Sequence, residues 1–408
     1  MFKKILSLVL AVAMLSAMAI GFTSCNGDNN DDGAFGSDFK LGVICLHDEA
    51  STYDLNFIEA VERAKTQLGL TDAQVIYKKN VPESAACTEA AEDLVDQGCD
   101  IIFANSFGHE SFLLAAAKKY PDVQFCHATG TTAHTEGVAN FHNAFASIYE
   151  GRFLAGVAAG LKLNEMINAG EITAAEAKMG YVGAFTYEEV ISGYTSFYLG
   201  AKSVCPSVTM EVQFTGSWYD EIKEKEAATA LINNDCVLIS QHADSMGAPT
   251  VCEENGVPNV SYNGSTVASC PNTFIVSSKI DWTPYFVYIC NTVKDGGTIA
   301  TDWTGTIATG SVALSDVNTQ AAAAGTVAKL EEVKAKLQSG EIKVFDTDTF
   351  TVGGNKIADD FKADVNTDAA YTPDTDVVDN GEFQESKFRS APYFGLRIDG
   401  ITLLNEKY

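Results

Sequence analysis

The chain repeats its own layout, and that constrains its fold more than any other feature. Apolar, β-rich runs bounded by turn residues begin near Leu41, Ala73, Cys99, Val123 and Val138. A second set begins near Lys178, Thr209, Asp235, Pro258 and Asn272, so partners lie 134 to 137 residues apart. Helical patterns fill the gaps at matching places: 56–68 against 190–204, 86–97 against 222–233, and 111–120 against 247–255. Helical spacing puts Phe57, Val61, Ala64 and Leu68 on one face, as packing against a sheet requires. Strands that alternate with helices and run apolar throughout indicate parallel sheets covered on both faces. Two units with one layout therefore predict two similar α/β lobes. Hydrophobic content of 46% is ample for two cores.

Residues 1–24 have the three parts of a secretory signal. Lys3 and Lys4 supply the charged start, an apolar stretch follows from Ile5 to Phe22, and Thr23 and Ser24 precede Cys25. Thr-Ser-Cys after the apolar run resembles a bacterial lipobox, which implies a lipidated Cys25 and an anchor on the outer face of the cell membrane. The stretch 26–38 is small and polar with four Asp, a composition suited to a tether over 25–40. The formal net charge of −27 repels phosphate backbones and anionic headgroups, so a nucleic-acid partner is not expected. Cys45, Cys126, Cys236 and Cys290 lie inside apolar runs and read as buried thiols, and the chain has no C-x-x-C spacing.

In parallel α/β sheets, ligands bind beyond the carboxyl ends of the strands. There the sequence places His47, Asp48 and Tyr53; Asn105, Ser106 and Phe107; Thr129; and, in the second half, Phe185, Trp218, Tyr219, His242, Asp244 and Asn263. Aromatic rings can stack on a flat ligand while Asp, Asn and His fix its polar edge. Each of these residues could instead cap a helix. His242, Asp244 and Ser245 are triad residue types, but they are neighbours on one loop, whereas a working triad converges from separate segments. No nucleotide or nucleophile-elbow motif is present, so no catalysis, metal or cofactor is expected. The glycines of GRFLAGVAAG (151–160) fall in a helical pattern, where close helix packing explains them. Asp374, Asp376 and Asp379 miss the calcium-loop spacing.

Several segments, taken in order, resemble the basic membrane protein (PnrA-like) family of substrate-binding lipoproteins. They are NVPES (80–84), DLVDQGCDIIFANSFG (93–108), YPDVQFCHATG (120–130), YEGRFLAGVAAG (149–160), MGYVGAF (179–185), LGAKSVCP (199–206), GSWYD (216–220), QHADS (241–245) and SGEIKVF (339–345). The resemblance implies a type I periplasmic-binding-protein fold, with two Rossmann-like lobes joined by three crossovers. It implies an ABC permease and ATPase as partners, and a ligand that is often a purine nucleobase or nucleoside. Trp218, Asp220, His242, Asp244 and Trp282 match the family pattern, with Tyr53 and Phe107 as ring contacts. Ser51 replaces an aromatic of the relatives, and Asn263 stands where Asp is common.

The expected lobes are 41–140 plus 277–304 and 141–276 plus 305–345. Residues 346–408, rich in Asp and Thr, form an extension without an assigned place, in which 390–404 can add a strand. A sensory binding protein and an exported nucleoside hydrolase are the competing readings.

Overall fold

A computed structural model describes residues 35–366 and 372–406. The signal at 1–24, Cys25 and most of the tether lie outside the described residues.

The first lobe is built on β1 (Leu41–Ile44), β2 (Val75–Lys78), β3 (Ile101–Ala104), β4 (Gln124–Ala128) and β5 (Phe141–Ala146). The second repeats the plan with β6 (Lys178–Gly183), β7 (Thr209–Phe214), β8 (Leu238–Gln241), β9 (Asn259–Tyr262) and β10 (Phe274–Ile280). Strand starts at 41, 75, 101, 124 and 141 thus recur at 178, 209, 238, 259 and 274. Both sheets have one spatial order, β2-β1-β3-β4-β5 and β7-β6-β8-β9-β10, with parallel pairing throughout these ten strands. β1, β3, β5, β8 and β9 are buried along their whole length, because helices cover both faces.

The connecting helices are α1 (Thr52–Leu68), α2 (Ala85–Asp96), α3 (Glu110–Lys119) and a single turn, α4 (Ala133–Glu136). They continue with α5 (Ile148–Ala169), α6 (Glu188–Val204), α7 (Glu221–Asn233), α8 (Gly247–Asn255), α9 (Thr283–Lys294) and α10 (Thr326–Ser339). α1 starts where Ser51 accepts a hydrogen bond from Asp54 N. Ser51 is therefore a buried N-cap, a role the missing aromatic ring could not fill.

The chain crosses between lobes three times: from β5 into α5, from β10 into α9, and from β11 (Asp302–Gly305) to β12 (Val312–Leu314). The crossings fall later than the expected boundaries at 140 and 277. β5 pairs with β4 through Ala128↔Ala144, and β10 pairs with β9 up to Ser278↔Tyr262. A strand buried in mid-sheet must finish its ladder before the chain can leave, so each repeat ends with its fifth strand. α5 and α6 pack at their glycines: a methyl group on Gly156 would lie 2.0 Å from Phe197 O, and one on Gly200 2.0 Å from Phe153 O.

The extension is not a loose arm. Phe345 stacks on Phe394 at 4.3 Å, Phe383 meets Phe394 at 4.8 Å, and all three are buried. Glu385 accepts a hydrogen bond from Ser192 of α6, and the strand Ile401–Leu403 pairs parallel to β7. Ser390 reaches the other lobe, its backbone N donating to Asp302 Oδ2 at 2.6 Å. Cys45, Cys87, Cys99, Cys126, Cys205, Cys236, Cys252, Cys270 and Cys290 are buried and unpaired. Among the described residues, no helix is long and apolar enough to cross a membrane, and no cluster of metal-ligating side chains occurs.

Candidate ligand-binding site

The carboxyl ends of β1, β3 and β4 in one lobe face those of β8 and β9 in the other. They enclose a cleft lined by Leu46, Tyr53, Ser106, Phe107, Thr129, Glu189, Trp218, His242, Asp244 and Tyr262. Seven residues expected from sequence meet here: Tyr53, Ser106, Phe107, Thr129, Trp218, His242 and Asp244. Phe185 stands one step back, edge-on to Trp218 at 5.0 Å and stacked on Tyr187 at 5.1 Å.

Asp48, Asp220, Asn263 and Trp282, also expected, are elsewhere, each for a physical reason. Asp48 closes a loop, accepting from Ala50 N at 3.0 Å and Asn80 Nδ2 at 3.1 Å, and these bonds lower its pKa. Asp220 is the N-cap of α7, accepting from Lys223 N. Asn263, with φ of 63°, opens on a neighbouring groove with Thr52 and Lys279. Trp282 is a core residue of the first lobe, stacked on Phe57 at 4.6 Å and 1% exposed.

The polar side of the cleft is organised from behind. Arg152, buried on α5, donates to Gln241 O at 2.9 Å and to His242 Nδ1 at 3.0 Å, with its guanidinium 3.4 Å from the centroid of the Tyr262 ring. A guanidinium can only donate, so His242 Nδ1 is the acceptor and its proton sits on Nε2. That Nε2 faces Glu189 Oε1 at 3.3 Å. Burial, with Arg152 beside it, holds the His242 pKa well below the ordinary range, so the ring is neutral. Burial pushes Glu189 up to about 7 against the pull of Arg152, and raises Asp244 well above the carboxylate range. Near neutral pH the cleft thus offers carboxyl groups able to donate or accept, beside aromatic rings. This suits a flat, polar-edged, uncharged ligand. A triad does not assemble: His242 turns to Arg152 and Glu189, while Ser245 Oγ accepts from Gly247 N.

On the first-lobe side, Tyr53 Oη donates to Asn105 O at 2.6 Å, and Asn105 Nδ2 donates to Asp54 Oδ1 at 2.7 Å, which fixes the ring. Glu110 accepts from Thr131 N and Thr132 N and shapes the loop carrying Thr129, whose φ is 65°. Glu189, Arg152 and Tyr262 were not expected from sequence. The repeat itself held one signal, since Glu189 on α6 answers Tyr53 on α1, each the second residue of its helix. For Arg152 the signal was a charge directly heading the apolar run FLAGVAAG (153–160), where a buried charge needs partners.

The buried ionisable groups give a pH dependence with a definite sign. Glu150, Glu189, Glu224 and Glu385 are each pushed up to about 7 by burial. The folded chain keeps protons that the unfolded chain gives up above its ordinary 4.5, so stability falls as pH rises toward and through 7. His109 and His142, pushed down to about 4, act oppositely, but only below their ordinary 6.5. Between pH 6.5 and 8 the carboxyl groups act together with His134, whose pKa is raised by its hydrogen bond to Asp302 and whose contribution is likewise lost as pH rises. Unfolding free energy should drop by about 3 kcal/mol over that range. Urea unfolding at the two pH values measures this, and equal or higher stability at pH 8 contradicts the burial of these groups.

Comparison with known proteins agrees with this geometry. The chain belongs to the family of PnrA-like ABC transporter substrate-binding proteins, whose model matches residues 44–348. It is 32% identical over 275 residues to a purine-binding protein of Brucella abortus, spanning 67% of this chain and 73% of that one. It is also 32% identical over 211 residues to a Haloferax volcanii protein provisionally named an ABC transporter glucose-binding protein, covering 52% and 50%. Among solved structures, a solute-binding protein of an ABC transporter system from Aeropyrum pernix superposes with a TM-score of 0.63 at 18% identity. That match covers 75% of this chain and 92% of the other, and it shows the fold. The two lobes and three crossovers are those of a type I periplasmic binding protein.

Proposed function

We propose that the protein captures a purine nucleobase or nucleoside outside the cytoplasm and delivers it to an ABC permease and its ATPase. In this reading residues 1–24 are a signal peptide, Cys25 carries the lipid that anchors the protein to the membrane, and the tether is shorter than the expected 25–40, because Phe39 is buried in the first lobe and Lys40 N donates to Asp100. The carrying observation is the cleft, where Tyr53 and Phe107 of one lobe oppose Trp218 of the other beside the His242–Glu189–Asp244 edge. Closing two lobes on a planar ring excludes water and sets an aromatic on each face. The purine-binding relative supports the choice of ring.

A sugar is the second reading, because of the Haloferax relative. Titration calorimetry with purine bases, their nucleosides and glucose separates the two. A purine should bind at micromolar Kd or tighter and be recovered unchanged. Glucose binding without purine binding sinks the purine assignment, and conversion of a nucleoside to base and sugar would reveal a hydrolase.

A further inference from the structure

We propose that the C-terminal extension adds an outer chamber to the cleft and that this chamber takes a polyhydroxylated, glycosyl-type substituent on the bound heterocycle. The inference rests on the heterocycle reading above and deepens it. The family match ends at residue 348, and Asp364, Arg389, Ala391 and Pro392 of the chamber lie beyond it.

The chamber opens from the cleft through Phe107, Thr129 and Glu189, which border both spaces. Its far wall is Arg389, Ala391 and Pro392, and Glu188, Tyr187 and Asp364 also line it. Arg389 is only 6% exposed, and its Nε and Nη2 donate to the carbonyls of Ala391 at 3.1 Å and Pro392 at 2.9 Å. Its Nη1 is buried and has no hydrogen-bond partner. A guanidinium so held by its own segment keeps one donor in reserve, and leaving it unsatisfied costs free energy that a ligand acceptor would recover. Thr129 Oγ1, at the junction of the two spaces, is also buried and unpartnered.

The charges choose the chemistry. Glu188 and Asp364 put acceptors beside the one donor-only guanidinium, and the whole chain is strongly acidic. A phosphate or carboxylate would meet these carboxylates, whereas hydroxyl groups both donate to them and accept from Arg389. Tyr187, 5.3 Å from Phe107, supplies the apolar ring against which a sugar face can pack. The wall is also fixed to both lobes, through Ser390 to Asp302 and Glu385 to Ser192, so the closed state presents it in register with the cleft.

The test is the ratio of Kd for a purine base to Kd for its ribonucleoside, measured by calorimetry on the full chain and on Arg389→Gln and Tyr187→Ala. The wild type should favour the nucleoside by about tenfold or more, and both variants should bring the ratio close to one. Two variants on opposite walls guard against a folding defect in either, with melting curves recorded for each. A ratio near one in the wild type, with the base still bound, overturns this inference alone. Tighter binding of the nucleoside monophosphate than of the nucleoside overturns the hydroxyl assignment. Equal losses for base and nucleoside in both variants also overturn it. Failure of base and nucleoside alike overturns the heterocycle reading together with this one.

Discussion

Arg152→Met should lower ligand affinity by about 100-fold while the protein stays folded. The side chain does not reach the cleft lining, so the effect is one of positioning. Without its guanidinium, His242 Nδ1 loses the donor that fixes the tautomer, and the ring is free to turn away from Glu189. Glu189 also loses the positive charge that draws its pKa down, so it stays protonated to higher pH. Two of the cleft's polar groups lose their arrangement at once. Networks of this kind cost more to break than one hydrogen bond, on the order of 2–3 kcal/mol. Gln241 O and the Tyr262 ring lose a partner too, so stability should fall by about 2 kcal/mol. Calorimetry with a pH series checks both halves. A displaced pH midpoint of binding separates loss of positioning from a general loss of fold, and unchanged affinity would remove Arg152 from the account.

The second large effect is structural. Gly156→Ala puts a methyl group 2.0 Å from Phe197 O, and Gly200→Ala puts one 2.0 Å from Phe153 O. Both obstacles are backbone atoms of the facing helix, which no side-chain rotation can move. α5 and α6 must separate, and α5 also packs on β10. Each substitution should cost about 3–5 kcal/mol, a fall in Tm of roughly 5 °C. The double variant should cost less than the sum, because one separation relieves both clashes. Thermal unfolding measures all three, and a loss under about 1 kcal/mol from either single change would show that the helices are not in such close contact.

Much of this fold was legible in the sequence because it occurs twice. The helices at 52–68 and 188–204, and the strands that precede them, could be read from alternating apolar runs at a near-constant offset. Their ends were less legible, since the change of lobe depends on where a buried ladder finishes and not on composition. The site divides in the same way. Rings at strand ends, such as Tyr53, Phe107 and Trp218, were visible because that location has few other uses for them. Asp48 and Asp220 looked the same in sequence but serve as a loop closure and a helix cap. Trp282 begins a helix that returns to the first lobe, and only packing distinguishes it from a cleft aromatic. The extension was not legible. Phe345, Phe383 and Phe394 form its core across spacings without a period, so no pattern announced that they would meet.

Mass spectrometry of the small molecules released when natively purified protein is denatured tests the central claim most directly. A purine nucleobase or nucleoside should be released, in near-stoichiometric amount and chemically intact. A free sugar, a flavin or a pterin in its place would contradict the ligand assignment while leaving the two-lobed binding fold standing.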